Sequence, residues 1–167
     1  MERVLAIIPA RGGSKGVKNK NIKNLNGEPL ISYTIKEAKK SKYISKIIVS
    51  TDSLEISNIS KKHGAEVPFI RPKSLATDKS LTYEVVRHCV DFYKHQNQVF
   101  DIIMLLQPTT PFRSVNQIDK AIEILSEEKG FNSIVSVVDV DGNHPHRMKI
   151  IKKGQLLNYI EQGFEDM

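Results

Sequence analysis

Apolar residues fall into short continuous runs that alternate with stretches of helical spacing. Val4-Leu5-Ala6-Ile7-Ile8 is one such run, stopped by Pro9 and then Gly12-Gly13, and it predicts a strand buried on both faces. Arg11 to Asn26 is polar, with four lysines and with Gly12, Gly13 and Gly16, and predicts a loop. A helix follows from about Pro29, a residue suited to a first helical turn, with Leu30, Ile31, Thr34, Ile35 and Ala38 on one face. Lys46 to Ser50 is the second predicted strand. Asp52 and Glu55 then have the spacing of a capping box, opening a helix that stops near Gly64.

Glu66 to Ile70 predicts a short strand interrupted by Pro68, and Ser80 to His95 a helix. Asp101 to Leu106 is the most apolar strand and is expected at the centre of the sheet. Gln107 to Pro111 is a turn whose two prolines forbid helix, and Ser114 with Gln117 forms a capping box for the helix that follows. Ser133 to Val138 predicts a further strand. Met148 to Ile151 and Leu156 to Tyr159 predict a hairpin turning at Lys153-Gly154. The alternation implies an α/β fold of Rossmann-like type, with a mainly parallel sheet wound right-handedly and helices on both faces. Ligands of such sheets lie outside the carboxyl ends of the strands. The loops after Ile8, Val49 and Leu106 leave those ends.

A length of 167 residues, 40% of them hydrophobic, suits one sizeable core. The formal charge of +6 would serve nucleic acid, or equally a triphosphate and a carboxylated sugar. The lysines are scattered rather than set in a stripe with interleaved aromatics, which argues against a nucleic-acid partner. Cys89 is the only cysteine, so neither an intramolecular disulfide nor a cysteine-based zinc site is available. It lies among Val86, Val90 and Tyr93 at helical spacing, a packing position. Met1-Glu2-Arg3 leads straight into a strand rather than a signal peptide, and no apolar run reaches membrane-spanning length. The expectation is a cytoplasmic enzyme with no membrane partner.

Chemistry concentrates in Pro9-Ala10-Arg11-Gly12-Gly13-Ser14-Lys15-Gly16. The spacing is neither that of a P-loop nor that of the dinucleotide fingerprint. It still suits polyphosphate, because glycines let backbone N–H groups approach phosphate oxygens while Arg11, Lys15 and Lys20 supply positive charge. A solvated basic turn is the plainer alternative.

This segment, with Lys20-Asn21, Ile48-Val49-Ser50-Thr51-Asp52, Arg71-Pro72, Leu75-Ala76-Thr77-Asp78 and Leu105 to Arg113, resembles the CMP-sialic acid synthetases (acylneuraminate cytidylyltransferases). Relatives that activate legionaminic and pseudaminic acids are similar too, and the likeness covers essentially the whole chain. It implies a nucleotidyltransferase that moves CMP from CTP to the anomeric hydroxyl of an acidic nine-carbon sugar. By the same resemblance Arg11 and Lys20 grip the triphosphate near the reacting phosphorus. Ala10, Gly12, Gly13, Ser14, Lys15, Gly16 and Asn21 make further nucleotide contacts. Arg71 and Thr82 fall where the family holds cytosine and ribose, and Gln107 matches a sugar contact. Asp52 resembles the acid ending the family's second strand, with helix N-cap as its alternative role.

The resemblance also implies magnesium, bound by aspartates of an acidic motif expected beyond Met167, so no metal ligand is assigned within the chain. Asp139 and Asp141 suit a solvated turn before Gly142. His144-Pro145-His146 lacks an acidic partner and is expected at the entry to a substrate lobe. Residues 1–140 are expected to form the nucleotide-binding core. Residues 141–167 would begin a sugar-binding and dimerisation subdomain, and the full-length form would be a homodimer. A chain this short is expected to dimerise weakly, leaving Leu156, Leu157, Tyr159 and Ile160 exposed. Two alternatives stay open: a module that binds CTP without turnover, and a cytidylyltransferase for another acidic sugar.

Overall fold

The structure is a computed structural model that describes residues 2–128, 130–137, 149–152 and 155–158. They belong to two compact units, Met1–Asn132 and Ser133–Met167. In the first unit, strand β1 (Val4–Pro9) leads through a loop to a two-stranded ribbon, β2 (Asn24–Leu25) and β3 (Glu28–Pro29). Helix α1 (Leu30–Lys40), strand β4 (Ile44–Ser50), helices α2 (Leu54–Lys62) and α3 (Thr82–Lys94), strand β5 (Ile102–Leu105) and helix α4 (Val115–Glu127) follow. The main sheet is parallel, in the order β4-β1-β5.

The period of two along β1 explains both layers. Val4, Ala6 and Ile8 share one core with Ile31, Ile35 and Ala38 of α1 and with Ile118 and Ile122 of α4. Leu5 and Ile7 face the other way, into a core with Cys89 and Tyr93 of α3. A strand sandwiched by helices reads as a continuous apolar run, which is how β1 appears in the sequence.

Four sequence expectations are corrected. The central strand is β1, not the run from Asp101 to Leu106. Ile103 and Leu105 are 36% and 39% exposed, so one face of β5 is only partly covered. The segment from Glu66 to Ile70 is not a strand. It makes one bridge, with Glu66 bonded to Ile47 and Val49 at 2.9 and 2.8 Å, and Pro68, which has no N–H, cannot extend the ladder. Ser133 to Val137 carries no strand, because no neighbouring strand pairs with its backbone among the described residues. The expected loop from Arg11 to Asn26 ends in strand: β2 and β3 pair across Asn26-Gly27, whose φ values of 49° and 92° are those of a tight hairpin turn.

In the second unit, β6 (Lys149–Lys152) and β7 (Gln155–Asn158) form the expected antiparallel hairpin, with Ile150 opposite Leu157 and Ile151 opposite Leu156. Leu157 is exposed. Asp139, Asp141, His144, His146, Tyr159, Ile160 and the expected boundary at 140/141 lie outside the described residues.

Candidate functional site

The backbone after β1 is tied down one bond at a time. Ala10 donates its N–H to Ser50 O at 2.9 Å, prolonging the β1–β4 ladder by one residue. Gly12 N–H donates to the Asp52 carboxylate at 2.9 Å, and Ser14 N–H to Gly12 O at 3.0 Å. The chain then turns through Asn19, at φ 53°, into a single 3-10 turn, Lys20–Ile22. Lys20 N–H donates to Ser14 Oγ at 3.1 Å, and buried Asn21 donates its side-chain amide to Arg11 O at 3.0 Å. The cationic side chains thus stand on a folded turn rather than on a free loop.

Asp52 does not cap α2. Ser53 is the N-cap, its Oγ accepting Ile56 N–H at 3.4 Å, because the Asp52 carboxylate is turned toward Gly12. Gly12 sits so close to this corner that a Cβ on it would lie 3.1 Å from Ser53 Cβ. Here the absence of a side chain serves close approach.

Arg71 comes from the segment after the Glu66 bridge and is 4% exposed. Its backbone N–H donates to Thr51 O at 2.8 Å, and its guanidinium reaches Ser50 O at 3.0 Å and Leu75 O at 3.3 Å. Nε is buried with no hydrogen-bond partner among the described residues. Burial lowers the Arg71 pKa, and nearby Asp52 works against that shift. His88 of α3 is shifted down as well, first by burial and then by the Arg71 charge.

Arg71 and the turn after β1 border a cavity of about 470 Å³ at the carboxyl ends of the strands. Arg11, Ser14, Lys15, Gly16, Lys20 and Asn21 line it from the turn after β1. Arg71 and Thr82 line it from the α3 side, and Gln107 from the loop after β5. Nine of the residues singled out in the sequence therefore meet at one place. Ala10, Gly12 and Gly13 are not in the lining. Ala10 is fully buried, and the Ala10 and Gly12 amides are spent on Ser50 and Asp52, so these two hold the turn's shape.

Several lining residues had no role assigned from the sequence: Pro9, Val17, Leu75, Thr77, Asp78, Ser80, Val85, Pro108 and Thr109. Asp78 matters most. Its carboxylate pairs with Arg11 at 2.5 Å and also with Lys15. These bonds, Lys15 first and Arg11 second, hold its pKa below the ordinary aspartate value. In the sequence it stands in the Leu75-Ala76-Thr77-Asp78 block, where nothing marks its partners.

With this geometry in place, comparison with known proteins is informative. The family model described as cytidylyltransferase matches residues 5–152. The CMP-N,N'-diacetyllegionaminic acid synthase of Legionella pneumophila is 43% identical over 165 residues, covering 99% of this chain and 69% of that protein. The N-acylneuraminate cytidylyltransferase of Escherichia coli O18:K1:H7 is 39% identical over 135 residues, covering 81% of this chain and 31% of its own length. The pseudaminic acid cytidylyltransferase of Campylobacter jejuni is 39% identical over 119 residues, covering 71% of this chain and 51% of that protein. The chain therefore spans less than two thirds of the length of most of these relatives. Among solved structures, a CMP:2-keto-3-deoxy-manno-octonic acid synthetase complexed with CTP superposes with a TM-score of 0.63 at 18% identity, over 77% of this chain and 49% of that one. A 4-diphosphocytidyl-2C-methyl-D-erythritol synthase superposes with a TM-score of 0.65 at 13% identity, over 93% and 67%. These last two likenesses speak for the fold alone. The family match, running from β1 to the hairpin, and three relatives near 40% identity lead to one conclusion: this chain belongs to the cytidylyltransferase family.

Proposed function

We propose that the protein transfers CMP from CTP to the anomeric hydroxyl of a sialic-acid-type nonulosonic acid and releases pyrophosphate. The observation that carries this reading is the convergence of Arg11, Lys15, Lys20, Arg71 and Gln107 on one cavity at the carboxyl ends of the strands. Its relatives are named for sialic, legionaminic and pseudaminic acids, so an acidic nine-carbon sugar is the substrate class this reading takes.

In the proposed reaction the sugar oxygen forms a bond to the α-phosphorus while the bond to the bridging oxygen of pyrophosphate breaks. The hydroxyl proton is lost to solvent. Such a displacement needs alignment and charge neutralisation more than covalent help. Lys20 and Arg11 are assigned to the charge that develops on the phosphates. Arg71, with its Nε unpartnered, and Thr82 are assigned to the nucleoside, and Gln107 to the sugar.

Magnesium belongs to the reading as the ion that neutralises the phosphates when bound. The described residues hold no group of three or more His, Cys, Asp or Glu, and the acids beside the glycine turn are already engaged. Asp52 is bonded to the Gly12 amide, and Asp78 is paired with two cations. No helix among the described residues is long and apolar enough to cross a membrane. We assign the reaction to the cytoplasm, where CTP is found, and a homodimer to the active protein.

A pyrophosphate-release assay with CTP, magnesium and a panel of sugar acids tests the proposal, run beside a calorimetric CTP titration. Release with a nine-carbon acid supports it. Release only with an eight-carbon acid moves the assignment to another sugar, and CTP binding without release leaves a nucleotide-binding module.

A further inference from the structure

We propose that Asp78 is an internal stand-in for the triphosphate: in the free protein its carboxylate occupies the Arg11 and Lys15 side chains, and the nucleotide must displace it to bind. This rests on reading the cavity as a polyphosphate site. Asp78, Arg11 and Lys15 all line that cavity, and the aspartate reaches the glycine turn from the far side of the pocket, 67 residues on from Arg11. Its oxygens divide between the two partners, Oδ1 on an Arg11 Nη1 and Oδ2 on Lys15 Nζ. A carboxylate held this way gives each cation a charge-assisted bond to an anionic oxygen, as a phosphate would.

Asp78 has no evident task in holding its own segment. The turn before α3 is closed by Ser80, whose Oγ bonds Thr77 N–H at 3.0 Å, Thr77 Oγ1 at 2.8 Å and Ser74 O at 3.0 Å. The Asp78 side chain points across the pocket instead and remains 37% exposed, so it is free to swing into water once a stronger anion arrives. Lys15, 82% exposed, would otherwise have no fixed position. The pairing therefore serves two ends. It keeps two cations preorganised near the phosphate position, and it lowers apparent affinity by the fraction of molecules in which they are already occupied.

Exposed ion pairs are weak, so the competition is a modest one. In calorimetric titrations at low salt, Asp78→Asn and Asp78→Ala are each expected to tighten CTP binding by about three- to tenfold. Inorganic tripolyphosphate should gain by the same factor. A general field effect of removing one negative charge is separated by a double-mutant cycle: in a Lys15→Met background, where Asp78 still pairs with Arg11, the gain should fall below that in the parent without vanishing. Unchanged or weaker binding of both anions in both Asp78 variants overturns the proposal, as does a gain of the same size in the Lys15→Met background. Tripolyphosphate binding that follows the prediction while CTP binds no better removes the cytidine reading and leaves Asp78 in its role. If neither anion binds the parent or the variants, both readings fall.

Discussion

The carboxylate of Asp52 accepts the amide proton of Gly12 at 2.9 Å, across 40 residues of sequence. This bond joins the turn after β1 to the corner after β4, and it does so beside Arg71, whose charge Asp52 helps to sustain. Two parts of the cavity wall thus depend on one acid. Asp52→Ala leaves the Gly12 amide without its partner in a partly buried corner, at an expected cost of about 1–2 kcal/mol in urea unfolding. CTP affinity should fall with it, since the turn carrying Arg11 and Lys20 loses an anchor. Asp52→Asn keeps an acceptor oxygen and should lose less on both measures. Parent-like stability and affinity in the alanine variant would show that the bond does not hold the turn.

Arg71 does structural work before any nucleotide arrives. Its guanidinium serves the carbonyls of Ser50 and Leu75, and Ser50 O also receives the Ala10 amide. Arg71→Ala should therefore destabilise the ligand-free protein by about 1–3 kcal/mol, because a buried acceptor loses its charged donor. Arg71→Lys restores charge without the planar fork and should recover only part of that loss. Thermal unfolding in the absence of CTP is the measurement, since a residue used solely for nucleotide contact would leave it unchanged.

Lys20 presents the opposite case. Its backbone is fixed by Ser14 Oγ and Val17 O, while its side chain lines the cavity and enters no hydrogen bond or ion pair recorded among the described residues. Lys20→Met should unfold like the parent yet lose on the order of 100- to 1000-fold in pyrophosphate release, the usual effect of deleting one preorganised donor to developing charge. The charge-reversed variant, Lys20→Glu, should also lose CTP binding. Tight CTP binding by that variant would remove the cavity from the phosphate assignment.

The sequence made some of this architecture visible and hid the rest for physical reasons. β1 is apolar at every position because helices cover both of its faces, so its run was conspicuous. The run containing β5 looked the more central, but hydrophobicity alone does not tell a covered face from one that is partly open, as Ile103 and Leu105 are. The β2–β3 ribbon carried the Asn26-Gly27 signal and was read past because its strands are only two residues long. Asp52 and Ser53 are both good N-caps, and which one serves was decided by the Gly12 amide, a tertiary partner that spacing cannot show. Of the three loops expected at one sheet edge, those after Ile8 and Leu106 line the cavity, whereas the loop after Val49 does not and the segment from Arg71 to Val85 supplies that wall. Asp78 was not foreseeable, because an acid facing a basic turn becomes visible only when the chain has folded back on itself.

Cys89 connects the core to pH. It is fully buried between α3 and the sheet, and burial raises its thiol from the ordinary 9.0 to about 11. The folded protein therefore keeps this proton over a range in which the unfolded chain releases it. Stability from this source is complete below about pH 9 and is lost as pH rises toward 11, because deprotonation rewards only the unfolded state. Tyr93, its neighbour in the same core, is shifted up by burial and by Glu66, and it steepens the loss at the alkaline end. The fall attributable to Cys89 is on the order of 2–3 kcal/mol. Cys89→Ala should lower the plateau near pH 7 by about 1 kcal/mol through lost packing. It should also flatten the decline between pH 9 and 11. Urea unfolding of parent and variant across that range decides the matter, since parallel curves would mean that the thiol titrates alike in the folded and unfolded states.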